Sequence, residues 1–139
     1  MSHKEEYISE YSIEGRLAVD VSGKDIVEVI EAAEKIFSAA SFGEIVVTGH
    51  KVLGIRDKNG SIVYMRGHGS IGDVKLSGGK YRVYFRVDGS FFPVMNVVDK
   101  LTARQLGEHR LVTADFGDMD FIDGNLINIK SGDVVVYVA

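Results

Sequence analysis

Leu17, Val19 and Val21 alternate with Arg16, Ala18 and Asp20, the period of two expected of a half-buried strand, and residues 5–21 as a whole read as extended. The period then changes. Ile26, Ile30, Ala33, Phe37 and Ala40 recur three or four positions apart, which gathers them on one stripe of a helix over about residues 24–41. Ser22-Gly-Lys-Asp25 precedes the stripe as a capping box, with Ser22 as N-cap and the Asp25 carboxylate returning to its amide. Glu28, Glu31, Glu34 and Lys35 fall on other faces, Glu31 and Lys35 as a favourable pair, and Gly43 supplies a stop.

Beyond Gly43 the alternation returns. Residues 44–48 lead into 51–56 and then 61–66, with Asp57-Lys-Asn-Gly60 as a type I turn closed by a glycine at positive φ. Residues 71–76 and 80–87 form a second hairpin through Gly78-Gly79, and Asp88-Gly89 reads as a further turn. Within 80–87, Tyr81, Val83, Phe85 and Val87 alternate with Lys80, Arg82, Tyr84 and Arg86, so one face is core and the other basic. Val94, Val97, Val98 and Leu101 have helical spacing, with Pro93 in a tolerant first turn. They predict a second helix at about 92–106, stopped by Gly107, although the phenylalanines and valines there also suit a strand. Strands near 110–115, 126–129 and 133–138 close the chain. The sum is an α+β fold, an antiparallel-rich sheet with the two helices packed on it. Residues 1–139 form a single domain in this reading, with 1–4 disordered and no internal repeat.

Composition narrows the chemistry. The chain has no cysteine, which removes disulfides, thiolate nucleophiles and cysteine-ligated zinc. Its longest apolar run, Val134 to Ala139, is far short of the roughly 20 residues of a membrane span. The first ten residues are polar and acidic, unlike a secretory leader, so a cytoplasmic location is expected. The net charge of −4 argues against a protein dedicated to coating nucleic acid. That average conceals blocks: 4 basic and 10 acidic residues over 1–49, 8 and 2 over 50–87, and 4 and 8 over 88–139. The central block is basic between acidic flanks.

Several motifs imitate known chemistry. Gly67-His-Gly69-Ser-Ile-Gly72 has dinucleotide-loop spacing, but strand and turn residues follow where a helix N-terminus must receive the pyrophosphate. The same glycines, with His109-Arg110 and Asp115-Phe116-Gly117, imitate kinase motifs. Leu111 replaces the catalytic aspartate, and 139 residues cannot form both kinase lobes. Asp118, Asp120 and Asp123, with Asp115, form an acidic cluster that suits hard cations. With Gly124 as the turn glycine, Met119 would be the first ligand, so the calcium-loop pattern is not met. No pair of the four histidines has metal-ligand spacing, no serine or threonine lies in a nucleophile elbow, and no cofactor is implied.

The basic block has more coherence. Lys75, Lys80, Arg82, Tyr84 and Arg86 share one predicted face, with Arg66 and Tyr64 on a neighbouring strand. Cations interleaved with aromatic rings on a sheet suit single-stranded nucleic acid or another polyanion. The competing structural account is a solvent-facing strand packed across from the acidic segments. The helix from Lys24 to Ala40, Gly43-Glu-Ile-Val-Val47 and the Asp57–Gly60 hairpin resemble the helix-plus-hairpin adaptor domains of prokaryotic regulatory proteins. The resemblance spans about a third of the chain, includes no diagnostic residue and implies a binding module. The expected function is therefore a non-catalytic binding or assembly module, with a protein partner or self-association and no membrane. Polyanion binding through residues 64–86 is the second reading, and metal-assisted hydrolysis at the Asp115–Asp123 loop the third.

Overall fold

The computed structural model describes residues 3–67, 76 and 79–139. In it the alternation around Leu17 runs far beyond the segment that revealed it. Strand β1, Glu5–Ser22, buries every odd residue from Tyr7 to Val21. Strand β4, Lys80–Phe91, buries every odd residue from Tyr81 onward. The two pair antiparallel, from Tyr11 opposite Phe91 to Ser22 opposite Lys80, so their apolar faces coincide. Around them lie β2 (Val46–Asp57), β3 (Ile62–Met65), β6 (Asp120–Ser131) and β7 (Val134–Val138). The sheet runs β3-β2-β4-β1-β6-β7, and β5 (Val94–Val97) pairs with the start of β1. Every pairing among the described residues is antiparallel.

Two helices, α1 (Ile26–Ala39) and α2 (Lys100–Thr113), pack against the inward face. Helix α1 buries Ile26, Val29, Ala33 and Phe37. Val29 takes the place expected for Ile30, which is only partly buried. Its N-cap is Asp25 rather than Ser22: the Asp25 carboxylate accepts from the Glu28 amide at 2.8 Å. Glu28 in turn accepts from the amide of Lys24, the residue before the cap, at 3.3 Å, so the cap is set three residues later than expected and its return bond reaches one residue beyond the capping-box amide.

The second helix starts at Lys100, because 94–97 is spent on β5. Gly107 is not its stop but lies buried mid-helix, where a Cβ would come within 3.1 Å of the Tyr11 hydroxyl and 3.2 Å of the Ser9 hydroxyl. Arg110 to Thr113, expected as strand, are the last turn of α2. Asp88-Gly89 is no turn either: β4 runs straight through it, and a Cβ on Gly89 would stand 2.9 Å from the Val46 carbonyl of β2. The Asp57–Gly60 turn forms as expected, with Gly60 at φ 83° and the Asp57 carboxylate accepting from the amides of Asn59 and Ser61. The Ile71–Leu76 strand and the Gly78-Gly79 turn fall largely outside the described residues.

The expectation of no repeat is overturned by geometry. Asp25 and Asp99 cap helices of 14 residues each. Displacing α1 by 74 positions (Ile26 to Lys100) superposes it on α2, and the same displacement carries Val46–Asp57 onto Asp120–Ser131. Register obeys the same rule. Tyr11 opposite Leu126, Ser9 opposite Ile129 and Ile8 opposite Lys130 correspond to Val52–Phe85, Ile55–Val83 and Arg56–Arg82. Both bulges recur at equivalent places. The chain is thus two β-α-β-β units related by a pseudo-twofold axis through the cross-strand pair Glu14 and Asp88. The units are interleaved, since the hairpin of each pairs with the first strand of the other. Only eight positions are identical between them, among them Gly15 and Gly89, Phe42 and Phe116, and Gly43 and Gly117.

The loops after the two helices meet. Glu44 N–H donates to the Asp115 carbonyl at 2.8 Å, and Asp118 N–H to the Ser41 carbonyl at 2.7 Å. Asp115 N–H donates to the Glu44 carboxylate and Ser41 N–H to that of Asp118, at 2.9 and 3.0 Å. Gly43 and Gly117 have φ of 61° and 63° inside this clasp.

Candidate binding face on the outward side of the sheet

The even residues of β4 point away from the helices, and register identifies their companions. Residues directly opposite in an antiparallel pair share a face. One row across β2, β4 and β1 therefore reads Lys51, Arg86, Arg16, the next Gly54, Tyr84, Ala18, and the next Arg56, Arg82, Asp20. Successive rows lie about 7 Å apart along the strands. The middle row sets a half-buried tyrosine between two residues with almost no side chain. Met65 is opposite Gly54 and Ile62 opposite Arg56, so both flank it on the same face, 41% and 49% exposed.

Like charges directly across a sheet repel. Carboxylates relieve part of that cost. Arg82 grips Asp20 through two bonds of 2.8 and 3.1 Å. The bond holds the Asp20 carboxyl below its ordinary range and pushes the Arg82 guanidinium up. Arg86 reaches Glu14 at 2.8 Å and Asp88 at 3.1 Å, and Arg16 also bonds Glu14, at 3.1 Å. Lys51, Arg56, Lys58 and Lys80 have no carboxylate partner among the described residues.

Two depressions adjoin there. A cleft of about 320 Å³ is lined by Arg56, Lys58, Lys80, Arg82 and Tyr84, with Asp20 and Asp57. An open groove of about 710 Å³, lined by Leu53, Gly54, Ile62, Met65, Tyr84 and Arg16, is the more apolar. Arg56, Gly60 and Tyr84 belong to both, so the two are continuous.

Of the residues singled out in the sequence, Lys80, Arg82 and Tyr84 come together here. Arg86 is outward on the same strand, but two carboxylates hold it. Arg66 is exposed in the turn after β3 and lines neither depression. Lys75 lies outside the described residues. Tyr64 also borders the groove, but its register partner is the fully buried Ile55, which places its side chain on the inward face rather than in the row of Tyr84. Arg16, Lys51, Arg56 and Lys58 were missed. Arg56 precedes the Asp57–Gly60 turn and Lys58 lies within it, and Arg16 lies on the polar side of the strand read from the alternation around Leu17. What was missing was the strand order that makes β2, β4 and β1 neighbours.

The aspartates do not converge. Asp118 caps the Ser41 amide, Asp123 accepts from the Gly124 amide and the Asn125 side chain, and Asp120 opens β6 opposite Arg16. Among the described residues no group of three or more His, Asp or Glu is placed to hold a metal ion. His50 bonds Glu34 at 2.7 Å and stacks on Phe37 at 4.0 Å, tying β2 to α1, while His109 is exposed on α2. His68 is outside the described residues. No helix among them is long and apolar enough to cross a membrane. The chain matches no protein-family model, no curated protein and no solved structure.

Proposed function

We propose that the chain is a non-catalytic binding module whose working surface is the outward face of β2, β3 and β4. The observation that supports this is the contrast between the two pseudo-equivalent wings. Backbone register is the same in both, yet the row Arg56, Arg82, Asp20 corresponds to Lys130, Ile8, Val94 in the other wing. Likewise Lys51, Arg86, Arg16 corresponds to Asn125, Ser12, Ser90. Of these cations only Arg56 has a basic counterpart, Lys130, so the fold does not require the others: it is built equally well without them. A feature that costs repulsion and is not needed for folding is a reason to look for a ligand. The aspartate loop gives hydrolysis no comparable support, because the carboxylates of Asp115, Asp118 and Asp123 accept from backbone amides, that of Asp118 closing the clasp through Ser41.

Amide chemical-shift mapping of the whole chain tests the reading. The probes are a short oligouridylate, a polyglutamate peptide and a polylysine peptide, each at about 0.15 M salt, where charges more than about 8 Å apart are screened. The expected outcome is saturable shifts for at least one anionic probe, centred on Arg56, Lys80 and Tyr84. Shifts confined to β6 and β7, or none with any probe, would contradict it.

A further inference from the structure

We infer that the joined cleft and groove form a nucleoside-phosphate site, with the anion held by the cleft and the base laid on Tyr84. This rests on the reading above that the outward face of β2, β3 and β4 binds a ligand, and it names the ligand's chemistry.

Three observations point to that chemistry. The first is charge. In the cleft, Arg82 is matched by Asp20, and the Asp57 carboxylate accepts from the amides of its own turn. Arg56, Lys58 and Lys80 are left facing solvent with no carboxylate partner among the described residues. Arg56 is further oriented by donating to the Gly60 carbonyl at 2.8 Å. An oxyanion entering the cleft would meet three donors with no ion-pair partner among the described residues, in a lining of four cations against two carboxylates, one of the three a guanidinium already held in position.

The second is the ring. Tyr84 has Gly54 on one side and Ala18 on the other, so the positions directly across from it raise no bulky side chain against the ring. The ring is therefore open toward both neighbouring strands, with cation rows about 7 Å away along the strands on either side, and Arg82 of one row interacts with the Tyr84 hydroxyl. A base stacking on an aromatic ring while its phosphates meet flanking cations is how sheet surfaces hold unpaired nucleotides. An acidic peptide could use the cations but has no systematic use for the flat ring between small residues.

The third is the internal control. The row Gly54, Tyr84, Ala18 corresponds to Asn128, Glu10, Phe92 across the pseudo-twofold. There a carboxylate replaces the ring, and Lys80 and Arg82 become Glu6 and Ile8. Platform and most of the cations are therefore lost together in the other wing, where only Arg56 keeps a basic counterpart, Lys130.

The chemistry is shared by a free nucleotide and by one unit of a single strand, and the experiment separates them. Fluorescence anisotropy of labelled oligouridylate and oligothymidylate is measured with the whole chain at about 0.05 and 0.15 M salt, with uridine monophosphate and unlabelled polyglutamate as competitors. Three neutralised phosphates on a single strand give a log–log salt slope near −2. Arg56→Ala with Lys80→Ala should reduce that slope by about 1.4. Tyr84→Ala should weaken binding about tenfold to a hundredfold, whereas Tyr84→Phe should keep most of it. Melting curves confirm that each variant is folded, and Glu10→Ala, at the equivalent place in the other wing, should leave binding unchanged. Competition by the monophosphate assigns the site to free nucleotides, and its failure beside tight strand binding assigns it to strands. Either result supports the inference. Polyglutamate binding as well as the oligonucleotides, with no effect of Tyr84→Ala, overturns the nucleoside assignment while leaving the binding face intact. No binding of any anionic probe to this face overturns both.

Discussion

Gly43 and Gly117 are the two residues at which the fold leaves least choice. Each has φ near +60°, and an added Cβ would stand about 2 Å from the Asp115 or Ser41 carbonyl, respectively. The positive φ alone costs an L-residue about 1–2 kcal/mol, and the collision is with backbone that is itself hydrogen-bonded. Gly117→Ala should therefore lower unfolding stability by at least about 2 kcal/mol. Chemical denaturation measures it, and a loss under about 0.5 kcal/mol would mean the clasp is not a constraint. This site also shows what a sequence hides at the residue scale. Asp115-Phe-Gly117 was conspicuous as an imitation of a kinase motif, and its actual counterpart, Ser41-Phe-Gly43, passed as a simple helix stop. The two match in only two of three residues, and what makes them equivalent is contact across the molecule.

At the scale of elements, legibility follows how each helix is built. Helix α1 buries two large β-branched side chains and a phenylalanine at regular spacing, a signal strong enough to place it within two residues at either end. Helix α2 buries only Ala103 and Gly107, because the sheet approaches it closely. A helix that packs through small residues has almost no apolar stripe to read. Its start depends instead on Asp99, whose carboxylate accepts from the Thr102 amide at 2.7 Å. That bond, above all, holds the Asp99 carboxyl below its ordinary 3.8. A group depressed in the folded state stabilises it above the unfolded value, and the contribution fades as pH falls through the folded one. Asp99→Ala should thus lower the melting temperature by a few degrees at neutral pH. The gap between variant and parent should narrow as the pH is taken below about 4, and a gap that is constant down to pH 2 would remove the cap from the account. The binding face was half legible for a related reason. Alternation along β4 exposes Lys80, Arg82 and Tyr84, but their neighbours on β1 and β2 are set by pairings that no local pattern encodes.

Across the whole molecule, interleaving is the governing fact. Neither β-α-β-β unit contains its own sheet: β2 and β3 depend on β4, and β6 and β7 on β1. The central pair β1 and β4 joins the two halves along twelve cross-strand positions, so removing either half strips the other of its hydrogen-bonding partners and of one side of its core. Separate chains spanning residues 1–67 and 79–139 should not unfold cooperatively as monomers, whereas mixing them should restore the sheet signal in circular dichroism. A half that melts cooperatively as a monomer would contradict this. The intact chain should unfold in a single transition by every probe. Only eight shared identities lie behind this symmetry. What the halves hold in common is a pattern of inward and outward positions, satisfied by many different residues.

The position of β1 at the middle of the sheet has a consequence for how the protein comes into being. Synthesis proceeds at about 5–20 residues per second, and β1 ends at Ser22 while β6, one of its two long partners, ends at Ser131. For roughly 5–20 seconds of translation an 18-residue strand with a largely apolar inward face lacks one of the two long strands it lies between in the finished sheet. During that interval the nascent chain is a natural client for chaperones that cover extended apolar segments, and pauses within the second half would prolong its exposure.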